Sequence, residues 1–146
     1  MIPNEVRISL QKTCSALNSL KVDFVLIGGV AVGFYGYESV SGGLPPEMTH
    51  DIDFWYNPTI ENFQKIINAL DQLTVDVSTL KELIFDPKKP YLRIPYDGFK
   101  IEFLPQMSGL DSFAECRKRA KTIKLDGNEL LIISYNDLIG NKKAVI

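Results

Sequence analysis

Thr49-His50-Asp51-Ile52-Asp53-Phe54 sets two carboxylates one residue apart in a run whose other members suit an apolar strand. Side chains at i and i+2 of a strand share a face, so Asp51 and Asp53 point one way while Ile52 and Phe54 point the other. Two acids side by side can hold one hard divalent cation, which takes oxygen ligands and completes its shell with water and substrate phosphates. The opposite face, apolar, belongs to a core.

Upstream, Phe24-Val25-Leu26-Ile27 reads as a buried strand that runs into Gly28-Gly29 and then Val30-Ala31-Val32-Gly33-Phe34-Tyr35. That order predicts a strand, a tight glycine turn and the start of a helix. Two glycines let the backbone approach a ligand closely, and the free amides of a helix start suit phosphate. Downstream, Phe99-Lys100-Ile101-Glu102-Phe103-Leu104 is a second apolar strand with one acid in it.

A glycine turn, an Asp-x-Asp strand and a later strand with a third carboxylate together resemble the nucleotidyltransferase superfamily, the polymerase-beta-like palm fold. Within it the spacing, and the Thr49 before Asp51-Ile52-Asp53, look most like small stand-alone domains related to the AbiEii toxin and to lincosamide nucleotidyltransferases. The resemblance covers residues 20 to 104. A weaker match, Asp137-Leu138-Ile139 followed by Lys142, resembles the late helix with its phosphate-contacting lysine.

The resemblance implies an α+β fold with a mixed β-sheet and helices packed mainly on one face. It also implies an enzyme that moves a nucleoside monophosphate from a nucleoside triphosphate such as ATP to an acceptor hydroxyl. Asp51, Asp53 and Glu102 would be the catalytic, metal-binding acids, holding two Mg²⁺ ions, with Mn²⁺ able to replace them. Gly28, Gly29 and Lys142 would meet the nucleotide's phosphates. The acceptor is open among RNA, a protein side chain and a small molecule. The toxin-related group adds a protein partner such as an antitoxin to the expectations.

Two departures support a second expectation. Relatives often carry an arginine where this chain has Pro45, Pro46, Glu47 and Met48, and they continue past the late lysine, whereas this chain stops at Ile146. A catalytically silent binding module, or a toxin-antitoxin-type component completed by a partner, fits those differences.

Composition agrees with one domain over residues 1–146. The chain is 45% hydrophobic, enough for a substantial core, and no run approaches the roughly 18 apolar residues of a membrane span. Met1 to Leu20 lacks the pattern of a secretion signal, so a cytoplasmic location is expected. A net charge of −2 argues against coating nucleic acid through bulk electrostatics. Arg117, Lys118, Arg119, Lys121 and Lys124 form a local basic cluster that reads first as a solvated helix face. Cys14 and Cys116, with His50 the lone histidine, cannot assemble a zinc site of the usual kind and are expected as free thiols.

The remaining punctuation predicts the other elements. Pro3 opens a helix to about Leu20, with Val6, Leu10, Leu17 and Leu20 as its apolar stripe. Asn57 with Pro58 is expected to cap a helix whose Phe63, Ile66, Ile67, Leu70 and Leu73 face the core. Asp97-Gly98 and Asp126-Gly127 predict two hairpins, and Ser134 with Asp137 predicts a helix start. Glu38 to Met48 reads as a loop beside the site, His50 as packing away from the acids, and Tyr35, Tyr37, Trp55 and Tyr56 as core or rim.

Overall fold

The computed structural model describes residues 4–35, 51–89 and 91–144. The expectations for Tyr37, the 38–48 loop and His50 lie outside the described residues.

The expected stripe builds helix α1 (Asn4–Ser19), which buries Val6, Leu10 and Leu17. Strand β1 (Phe24–Ile27) is buried along its whole length and passes directly into the short helix α2 (Gly28–Phe34). Strand β2 (Asp51–Tyr56) carries the two acids at half-buried positions, with Ile52 and Phe54 fully buried between and after them. The strand period thus divides acids from core as expected.

Helix α3 (Ile60–Gln72) buries Phe63, Ile66, Ile67 and Leu70, while Leu73 is its half-buried C-cap, and its N-cap is Thr59, two residues later than Asn57. Thr59 has the extended backbone of a cap, and its hydroxyl accepts from the Asn62 amide at 3.2 Å. Asn57 is engaged elsewhere: its side chain donates to Asp23 Oδ2 at 3.2 Å, and its carbonyl accepts from Asn62 Nδ2 at 3.0 Å.

After a single turn, α4 (Ser78–Lys81), the two hairpins follow. They are β3 (Leu92–Tyr96) with β4 (Phe99–Leu104), and β5 (Lys121–Leu125) with β6 (Asn128–Ile132). At both turns the Asp and the Gly have positive φ, 55° and 82° at Asp97-Gly98 and 50° and 88° at Asp126-Gly127. Two positive φ values in a two-residue loop define the I′ turn, whose twist matches that of its strands. Helix α5 (Phe113–Arg119) precedes β5, and α6 (Tyr135–Ala144) follows β6 with the Ser134 hydroxyl accepting from the Asp137 amide, as the sequence predicted.

The sheet runs β3-β4-β2-β1-β6-β5 and is mixed. β2 is parallel to β4 and β1 to β6, while β1–β2 and both hairpins are antiparallel. On one face the rings of Phe24, Phe54 and Phe103 meet in sequence at 5.3 and 5.4 Å, and Tyr56 reaches Phe63 of α3. Helix α1 packs against α3.

The expectation of helices mainly on one face holds for these two long helices and needs amending for the rest. On the opposite face Phe113 of α5 meets the Trp55 ring edge-on at 5.3 Å, and Trp55 Nε1 donates to the Pro105 carbonyl. That face of β2 is therefore covered at Trp55. Among the described residues no helix is long and apolar enough to cross a membrane.

Candidate functional site

The strand register gathers the acids. Ile27 of β1 lies beside Asp53 of β2, Asp53 beside Glu102 of β4, and Glu102 beside Arg93 of β3. Neighbouring strands lie about 4.8 Å apart, close enough for these side chains to act on one another. Asp51 stands one step of the same face away, opposite Lys100.

Gly28 fixes the position of Asp53. Its φ of +73° is left-handed, and a Cβ at this position would run into the Asp53 carboxyl group. The sequence suggested room for a ligand at Gly28, whereas in the structure the group against Gly28 is the Asp53 side chain. Gly29, the second residue of α2, has no positive φ. No side chain caps α2, so its first amides lack partners within the helix.

Asp53 is the most perturbed acid of the row. Burial first, then a hydrogen bond with Glu102 and the negative charges of Glu102 and Asp51, push its pKa well above the usual carboxylate range, against a smaller opposing pull from Arg93. A hydrogen bond between two carboxyl groups requires a proton on one of them, and these causes put it on Asp53. Its Oδ1 is buried without a partner among the described residues. A buried polar atom left unpaired costs roughly 1–3 kcal/mol, so it is a natural place for a further ligand to attach.

Glu102, with its side chain 12% exposed, receives the Arg93 guanidinium, whose Nε lies 3.0 Å from Glu102 Oε1. Sequence reasoning overlooked Arg93. The signal for Arg93 was nevertheless there: in a hairpin closed by a two-residue turn at Asp97-Gly98, opposed residues have numbers summing to 195, and Glu102 faces Arg93.

The structure thus unites Gly28, Asp51, Asp53 and Glu102. Lys142 lies in the last turn of α6, where Asn141 donates to the Ser108 carbonyl at 2.9 Å and Gly109 packs against Ala144. Among the described residues no hydrogen bond or ion pair joins Lys142 to the acids. Also among the described residues, no three Asp, Glu, His or Cys side chains stand together as a ready metal-ligand set.

The basic cluster is largely neutralised from within. Arg117 Nε lies 2.7 Å from Asp23, Lys118 pairs with Glu115, and Arg119 bridges Asp111 and Asp137, tying α5 to α6. Lys121 and Lys124 remain exposed on the edge strand β5. Cys14 and Cys116 are both free and buried. Comparison with family models, with characterised proteins and with solved structures returned no match for this chain.

Proposed function

We propose that this protein is a divalent-metal-dependent nucleotidyltransferase that moves a nucleoside monophosphate from a nucleoside triphosphate to an acceptor hydroxyl. The observation that carries the reading is the row Asp53–Glu102, with Asp51 beside it and a buried, unpartnered Asp53 Oδ1. A cation would relieve both the unpaired oxygen and the crowding of like charges.

The donor chemistry suits such an ion, with Asp53 and Asp51 on one face of β2 and Glu102 beside Asp53 on β4, but the three do not stand together as a ligand set, so an ion would have to draw them in and complete its shell with water and phosphate oxygens. Bound there, Mg²⁺ supplies charge neutralisation on the phosphates and lowers the pKa of an attacking hydroxyl. Asp53 must give up its proton to become a ligand, so the shared proton and the cation compete for one place. In the transfer the acceptor oxygen bonds to the α-phosphorus, the bond to the β-phosphate bridging oxygen breaks, and pyrophosphate leaves with that electron pair. Glu102 accepts the hydroxyl proton. Gly28 keeps Asp53 in register, and the uncapped amides at the start of α2 face the phosphates.

A second reading, a catalytically silent binding module, is favoured by one observation. The Arg93 ion pair and the Asp53–Glu102 hydrogen bond satisfy most of the acid row without any metal. Calorimetric titration of the four nucleoside triphosphates, with and without Mg²⁺, separates the two. Metal-dependent binding to the native chain that disappears in Asp51→Asn/Asp53→Asn is the expected result for the enzyme. Absence of binding by the native chain at any Mg²⁺ or Mn²⁺ concentration would leave the silent module.

A further inference from the structure

The acid row has a neighbour that the reading above leaves unused. Beyond Asp51, toward the edge of the sheet, lies an open hollow of about 780 Å³ bordered by Arg93, Tyr96, Phe99 and Lys100. Its size lies within the range of sites that take small molecules. Strand order puts it on the β3–β4 side of the acids, whereas Gly28 and α2 lie on the β1 side. The two sides of the row are thus distinct, and the hairpin side carries Arg93 and Lys100.

The charges around the hollow are unequal in what they have free. Asp97 at its rim pairs with Lys12 at 3.5 Å, and Arg93 gives its Nε to Glu102, which fixes the guanidinium while leaving its other N–H groups without a partner among the described residues. Lys100 is exposed and has no ion pair among the described residues. Asp51 is the acid already assigned to the metal. What remains for a ligand on the acid face is therefore an ammonium and part of a guanidinium, since Tyr96 and Phe99 alternate toward the core and only border the hollow at its end. Arginine and lysine together bind phosphate.

We propose that this hollow is the acceptor subsite and that the acceptor is a nucleotide-sized phosphate monoester, free or at the end of a strand, held by Lys100 and Arg93 beside Asp51. The acceptor role rests on the nucleotidyltransferase reading; the binding site itself does not.

The test is calorimetric titration of the four nucleoside 5′-monophosphates, the parent nucleosides, and a tetranucleotide with and without a 5′-phosphate. Each is measured on the native chain and on Lys100→Gln, with Mg²⁺ and a non-hydrolysable nucleoside triphosphate analogue present. Phosphorylated ligands are expected to bind the native chain roughly tenfold more tightly than their unphosphorylated counterparts, and Lys100→Gln is expected to erase that preference. Binding of both tetranucleotide and monophosphate assigns the strand end, and binding of the monophosphate alone assigns the free nucleotide.

Equal binding of nucleoside and monophosphate, an unchanged preference in Lys100→Gln, or displacement of the monophosphate by the analogue overturns the proposal. Analogue binding without monophosphate binding sinks this inference and spares the proposed function. Lys100-dependent monophosphate binding without analogue binding does the reverse. Lys100 is exposed and outside the core, so its substitution leaves folding intact, which the unfolding midpoint checks.

Discussion

At the scale of single residues, the site depends on one atom that is missing. Gly28 lacks a Cβ where Asp53 needs room, and its φ of +73° is one that side-chain-bearing residues avoid. Gly98 has a similar φ of +82° with open space around it. Gly98→Ala should therefore cost about 1 kcal/mol, from backbone strain alone, while Gly28→Ala adds a collision with a carboxyl group and should cost about 2–4 kcal/mol. Urea unfolding of the two variants checks the order, and equal losses would show that the Gly28–Asp53 contact carries no weight. Strand geometry marked Asp51 and Asp53, a glycine turn marked Gly28, and the family resemblance marked Glu102. Arg93 was legible only through the hairpin parity, because one arginine on an alternating strand looks like any solvated side chain until its opposite number is an acid.

At the scale of elements, the strands were easier to read than the start of α3. Asp-Gly turns dictate two hairpins because they adopt positive φ cheaply, and both formed with the intended register. Asn57-Pro58 carries the same kind of local signal, yet long-range contacts override it. Asn62, nearly buried, accepts from the Asp23 amide at 2.7 Å and donates to the carbonyls of Asp23 and Asn57, latching α3 to the start of β1. Those partners lie up to 39 positions away and leave no trace in a local pattern. Thr59→Ala should cost about 1 kcal/mol, the usual value of a cap. Asn62→Ala should cost about 2 kcal/mol, because it strands the Asp23 amide and takes a second donor from the Asp23 and Asn57 carbonyls, which keep the Asn57 and Thr59 amides. Measured unfolding free energies in the opposite order would move the anchor of α3 from the latch to the cap.

At the scale of the whole molecule, the acid row ties stability to pH. Asp53 has a folded pKa above its unfolded one, chiefly through burial and then through Glu102, so the folded state holds a proton that the unfolded chain releases earlier. Linkage then makes stability fall as pH rises from the unfolded value, about 3.9, up through the raised folded value, by about 1.4 kcal/mol for each pH unit between the two. Asp111, held low by Arg119 and the Cys116 thiol at about 2, contributes with the opposite sign and only below about pH 4, where its stabilisation is lost as pH falls. The two effects occupy separate windows. In the presence of a chelator, unfolding free energy measured from about pH 5 to 9 should decline for the native chain, and Asp53→Asn, which keeps the shape and cannot ionise, should flatten that decline. Excess Mg²⁺ should restore stability to the native chain most strongly at the high end of the range, where Asp53 has already lost its proton and no longer competes with the cation. A native profile parallel to that of Asp53→Asn would mean that Asp53 and Glu102 do not share a proton, and the case for a cation in its place would lose its main physical support.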